Sequence, residues 1–123
     1  MKLRSLIAAA SAVALASAPV AAAGGFRATV LGQSHTALAG SPWAYYIRAW
    51  GADGKPFQGA IVLEVVTPGG KRIDGIGQFA FTGSWLRAYI WRRPDKGQTL
   101  DLRISFLRGT QVVAKRTYRV NVR

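Results

Sequence analysis

The sequence predicts an all-β domain, an antiparallel two-sheet sandwich of about seven strands, preceded by a signal-peptide helix. Three observations lead there. From residue 24 to the end, 100 residues hold 18 Gly and Pro, one Glu and no Met, so helix formers are scarce and turn formers abundant. All 13 aromatic residues lie in that part as well. Alternating apolar segments bounded by turn residues recur about every 10 to 15 positions. Strands so short and so regularly interrupted fit two packed layers, with a small closed barrel as the alternative.

The elements follow in order. Residues 26–33 form a first strand, and a polar loop through Ser34, His35 and Thr36 leads to Gly40, Ser41 and Pro42. Residues 43–50 alternate, with Trp43, Tyr45, Ile47 and Ala49 on one face and Tyr46, Arg48 and Trp50 on the other. Asp53-Gly54-Lys55-Pro56 is a turn cluster. Residues 60–67 form a third strand, closed by Pro68-Gly69-Gly70. Gly75 and Gly77 interrupt the next stretch, which predicts a short edge piece and then a strand over 78–82. Gly83-Ser84 turns the chain into a strand over 85–92, and Pro94-Asp95-Lys96-Gly97 is a loop. Residues 99–107 place Leu100, Leu102, Ile104 and Phe106 on one face. A three-residue loop, Arg108-Gly109-Thr110, then sets Phe106 opposite Val112 and Ile104 opposite Ala114 in a last strand over 111–122.

The start of the chain reads differently. Lys2 and Arg4 precede an apolar Ala-rich run from Leu6 to Leu15, and Ala21-Ala22-Ala23 before Gly24 is an A-x-A cleavage site. A cut after Ala18 would leave Pro19 behind the scissile bond and is disfavoured. The competing reading is an uncleaved anchor, but Ser11, Ser17 and Pro19 interrupt a stretch made mostly of alanine. The expected organisation is a signal peptide over 1–23 and one domain over 24–123. This implies a secreted or periplasmic protein with no stable membrane span after cleavage.

Charge and composition narrow the function. The whole chain carries 17 Lys and Arg against 5 Asp and Glu, and residues 24–123 keep a net charge of +10. With no Cys there is no disulfide, thiolate metal site or cysteine nucleophile. One His, no Met beyond Met1 and scattered acids supply neither a metal site nor a cofactor site. His35 with Asp53, Asp74, Asp95 or Asp101 could mimic a Ser-His-Asp arrangement, but no nucleophile-elbow motif accompanies it. The expectation is therefore no catalytic residues, no cofactor and no metal.

The run Ala52-Asp53-Gly54-Lys55-Pro56-Phe57-Gln58-Gly59-Ala60 resembles the D-x-x-G-x-P-V-x-G turn of small secreted bacterial immunoglobulin-like proteins. Gly83-Ser84-Trp85 is similar to the glycine turn of those modules. The resemblance implies an immunoglobulin-like sandwich and an extracytoplasmic habit, with no catalytic residues. The chain departs from that pattern in its shortened D-G-K-P turn, in Phe57 where Val is usual, and in lacking a Cys pair. The family pattern would also bury Glu64. The reading here turns Ile61, Leu63 and Val65 inward and leaves Val62 and Val66 on the opposite face.

Two surface features stand out. Trp85, Arg87, Tyr89, Trp91 and Arg93 are alternate residues and share one outward face if Leu86, Ala88 and Ile90 lie on the core. With Arg48 and Trp50 they make a cationic face with stacking rings, suited to an anionic polymer. The competing reading packs the rings inside and leaves the arginines to cover their rims. A second basic patch gathers Arg103, Lys115, Thr117 and Arg119, with Arg103 opposite Lys115. Arg116 falls on the core face with Val112, Ala114 and Tyr118, which asks for a bulge or an ion pair with Glu64 or Asp101. The leading expectation is a non-catalytic module that meets a protein partner at the cell envelope through a sheet edge or the Val62/Val66 face. An anionic envelope polymer or glycan is the alternative, nucleic acid ranks below both, and a hydrolase using His35 is the remote one.

Overall fold

The computed structural model describes residues 25–123. The expected signal segment, with Ala21, Ala23 and Gly24 at its cleavage site, lies outside the described residues. The strands are β1 (Arg27–Gly32), β2 (Thr36–Ala37), β3 (Pro42–Trp50), β4 (Gln58–Val66), β5 (Arg72–Thr82), β6 (Ser84–Ile90), β7 (Thr99–Arg108) and β8 (Gln111–Val122). They form two sheets of three and five strands, β1-β3-β6 and β5-β4-β7-β8-β2, the larger curled as a half-barrel. The sheets are continuous at one corner, where Thr82 pairs with Ser84 across Gly83. The turn needs a glycine there, because Gly83 has φ near +79°.

Alternation decides which side chains meet between the sheets. Trp43, Tyr45, Ile47 and Ala49 of β3 are buried, as are Ile61, Leu63 and Val65 of β4 and Leu100, Leu102, Ile104 and Phe106 of β7. Two aromatic clusters close the core, one at each end of β3. Phe26, Phe57, Phe81 and Phe106 pack with centroids 5.1–6.3 Å apart at one end. At the other, Trp43 lies 5.5 Å from Trp91 and 5.8 Å from Tyr118. Backbones also approach closely: a Cβ on Gly59 would strike the Leu107 carbonyl across the β4–β7 ladder.

Several expectations change. Pairing is not wholly antiparallel, because β2 runs parallel to the end of β8 through Thr36–Asn121 and Ala37–Val122. Gly75 and Gly77 do not break β5. Register shifts opposite Leu63/Glu64 and Val65/Val66 absorb Ile76 and Ile73 as extra residues, so the strand runs unbroken for 11 residues. The β7–β8 connection is the two-residue turn Gly109-Thr110, since Arg108 pairs with Gln111. A bulge then sets Leu107 opposite Val112 and Phe106 opposite Ala114, with Val113 as the extra residue. Ile104 therefore faces Arg116, and Arg103 faces Thr117 rather than Lys115.

Candidate functional site

The expected strand over 85–92 presents its other face in the structure. On β6, Trp85, Arg87 and Tyr89 stand directly opposite Ile47, Tyr45 and Trp43 of β3. Residues opposed across a pair share a face, so these three point inward. Leu86, Ala88 and Ile90 are the outward set, so of the two readings the one that packs the rings inside and leaves an arginine at their rim holds on β6. Bulk explains the choice, because two large rings fill the intersheet space better than Leu, Ala and Ile. Trp85 packs against Phe79 at 4.8 Å and donates its Nε1–H to the Tyr45 hydroxyl at 3.1 Å. Arg87 escapes at the rim, its guanidinium 4.2 Å from the Trp85 ring and its Nη1 donating to the Leu86 carbonyl at 2.8 Å.

The seven-residue cationic face is accordingly divided. Trp91 follows β6, is 0 % exposed and belongs to the core. Arg93 begins a short 3-10 turn, Arg93–Asp95, and leaves the β6 alternation altogether. Arg48 and Trp50 remain on the outer face of the three-stranded sheet. There the Arg27 and Arg48 guanidiniums lie 4.9 and 4.8 Å from the Trp50 centroid. Neither makes an ion pair among the described residues. A shallow cavity of about 210 Å³ adjoins them, lined by Tyr46, Trp50, Pro56, Thr82 and Ser84 among others.

The second basic patch is neutralised. Arg103 donates to Glu64 at 3.0 Å, with Arg72 at 3.8 Å from the same carboxylate, and Arg119 donates to Asp101 at 2.9 Å. Of the three cations in that patch, Lys115 alone keeps an exposed side chain with no carboxylate partner among the described residues. Arg116 pairs with neither Glu64 nor Asp101. It lies over Phe26, 5.8 Å from the ring centroid, and donates to the Lys115 carbonyl, and burial lowers the pKa of its guanidinium. The Val62/Val66 face is not an open contact surface either. Val66 is 2 % exposed, opposite the buried Asp101, and Val62 is half-buried.

The open apolar surface lies elsewhere. Leu31 of β1, Tyr46 of β3 and Leu86 of β6 stand in one row across the three-stranded sheet. Ala44 with Ala88 and Pro42 with Ile90 continue it toward one end. Leu31, Leu86 and Ile90 are 56, 62 and 56 % exposed. Sequence reasoning passed over Leu31, Tyr46, Leu86, Ile90 and Arg27, although one signal was present. Both faces of β6 carry apolar bulk, and a strand in a two-layer fold can bury only one of them.

His35 donates Nδ1–H to the Arg119 carbonyl at 2.7 Å and stacks on Tyr118 at 4.3 Å, which fixes the β2 loop to β8. Among the described residues no group of three or more His, Cys, Asp or Glu could hold a metal ion, and no helix is long and apolar enough to cross a membrane.

Away from the corner, the sheets are tied on the β6 side by Tyr89, whose hydroxyl donates to Asp74 Oδ2 at 2.6 Å. Burial, and then this bond, push the Tyr89 phenol well above its ordinary range, and burial raises Tyr45 too. Above pH about 10 the unfolded chain therefore releases these protons before the folded one. Stability from these groups is complete below that pH and is lost as pH rises further. Tyr89→Phe should cost about 1–3 kcal/mol at neutral pH, because it removes a bond to a charged acceptor. It should also flatten the alkaline decline, and urea unfolding from pH 7 to 11 checks both effects.

No protein-family model matches the chain, and no curated protein matches it.

Proposed function

We propose that this chain is a non-catalytic, extracytoplasmic interaction module of the immunoglobulin-like kind. It docks an acid-bearing protein partner through the outer face of its three-stranded sheet. The observation that carries this reading is the row Leu31–Tyr46–Leu86, continued by Ile90, held open on the outer sheet face. Charge selects the partner. Arg27 and Arg48 flank the row, and each of the five carboxylates is engaged elsewhere, by Lys55 N–H, Tyr89 or an arginine. Two copies docked with like ends together would bring their Arg27 and Arg48 residues into contact, and their carboxylates are already engaged, so a different protein bearing acids fits better. The A-x-A site at Ala21 to Ala23 supports an envelope location.

A photo-crosslinking residue at position 86, compared with one at position 112, tests the docking face in the cell of origin. The expected result is a discrete adduct from position 86 alone, mapped to an acid-flanked apolar segment and lost in Leu31→Lys. Equal adducts from both positions, or insensitivity to Leu31→Lys, would overturn the reading. A second reading, an anionic polymer, is favoured by the two guanidiniums gathered on Trp50. It requires binding that falls steeply between about 50 and 200 mM salt and fails in Arg27→Gln/Arg48→Gln.

A further inference from the structure

The β6 strand has a free edge. Its pairing with β5 is confined to Thr82–Ser84, so residues 85–90 bond to β3 on one side only. The phase of that ladder follows from the Ala49 N–H donating to the Gly83 carbonyl at 3.1 Å. Alternate pairs then exchange bonds, which turns the backbone of Trp85, Arg87 and Tyr89 toward β3. The N–H and C=O groups of Leu86, Ala88 and Ile90 point away from it. The Gln33 N–H donating to the Ala44 carbonyl fixes the same phase from the β1 side. A row of unpaired edge groups is a template for another strand, and here exposed Leu86 and Ile90 side chains border it.

Arg87 selects which strand. Its guanidinium has no carboxylate partner among the described residues and instead occupies the Leu86 carbonyl, one of the outward acceptors. A neutral or basic strand must displace it with nothing in exchange. A strand carrying a carboxylate beside Arg87 draws the guanidinium into an ion pair and frees the Leu86 carbonyl for the ladder. We infer that β6 accepts an extended, alternating apolar and acidic segment of a partner protein as an added strand, with Arg87 as the group that admits it. A second copy of β6 is disfavoured, because antiparallel self-pairing would bring two Arg87 side chains close together. This inference rests on the docking reading, since both use Leu86 and Ile90, and it adds the mode of attachment.

The test uses the peptide Val-Glu-Val-Glu-Val-Glu and its Lys-for-Glu counterpart, with amide hydrogen exchange of the intact domain as readout. The acidic peptide should slow exchange at Leu86, Ala88 and Ile90, and the lysine peptide should not. Arg87→Glu should weaken the acidic peptide by more than about tenfold and bring in the lysine one. Ala88→Pro removes one outward N–H and leaves the β3 ladder intact, so it should abolish peptide protection and weaken the crosslink from position 86. Retained amide protection of the core in each variant shows that the fold is kept. Peptide binding without protection of these amides, equal binding of both peptides, or protection that rises with protein concentration alone would overturn the inference. Loss of the position 86 crosslink in the unaltered protein would instead count against the docking reading.

Discussion

Phe106→Ala should lose about 3–5 kcal/mol of folding stability, the range for truncating a buried Phe. Phe106 is fully buried, and its ring meets Phe26, Phe57 and Phe81 at 5.1, 6.1 and 5.8 Å. Truncation leaves three rings facing a void that cannot easily collapse. The backbones on either side are pinned by the β4–β7 ladder, where Gly59 already permits a close approach. The chain has no cysteine, so no cross-link limits the unfolded state. Domains of this size hold about 5–15 kcal/mol in all, and the variant should approach the unfolding threshold. A fall in Tm of more than about 12 °C by calorimetry is expected. Leu31→Ala, on the open face, should stay within about 0.5 kcal/mol. A loss under about 1.5 kcal/mol for Phe106→Ala would mean that the phenylalanine end of the core relaxes rather than holds.

The residues most legible in the sequence were those whose two faces differ. On β7 the inward Leu100, Leu102, Ile104 and Phe106 are large and apolar and the alternates Thr99, Asp101, Arg103 and Ser105 are polar or charged, so parity assigned the core directly. The β6 segment has no such contrast, with Leu, Ala and Ile on one face and Trp, Arg and Tyr on the other. Hydropathy favours the first set for the core, whereas volume favours the second. Intersheet filling decided for volume, in favour of the reading that packs the rings inside. The bulges at Ile73, Ile76 and Val113 were hidden for another reason. Each adds one residue to a ladder, which depends on the partner strand and leaves little local trace. β2 is two residues long and exists only because the end of β8 lies beside it. The ion pairs of Arg103 and Arg119 required the register, and the register required the bulge.

Arg87→Ala should make the domain self-associate. The substitution removes the only charge on the inward face of the free β6 edge, uncovers one side of Trp85 and releases the Leu86 carbonyl. Inward-pointing charge is one of the devices by which edge strands avoid pairing with copies of themselves. Leu86 and Ile90, both more than half exposed, remain to bury against a second copy. Sedimentation velocity from about micromolar to millimolar protein should show oligomers in Arg87→Ala that the unaltered protein does not form. Arg87→Lys should fall between the two, since lysine keeps the charge but lacks the planar fork that lies on Trp85. Salt separates this from any polymer binding. Residues 25–123 carry 15 basic and 5 acidic side chains, so copies repel at low ionic strength. Screening shortens that repulsion to about 10 Å at 0.1 M. Association of Arg87→Ala should therefore strengthen as salt rises, whereas binding to an anionic polymer weakens. A variant that stays monomeric in high salt would mean that the Tyr89–Asp74 tie, rather than Arg87, keeps the edge closed.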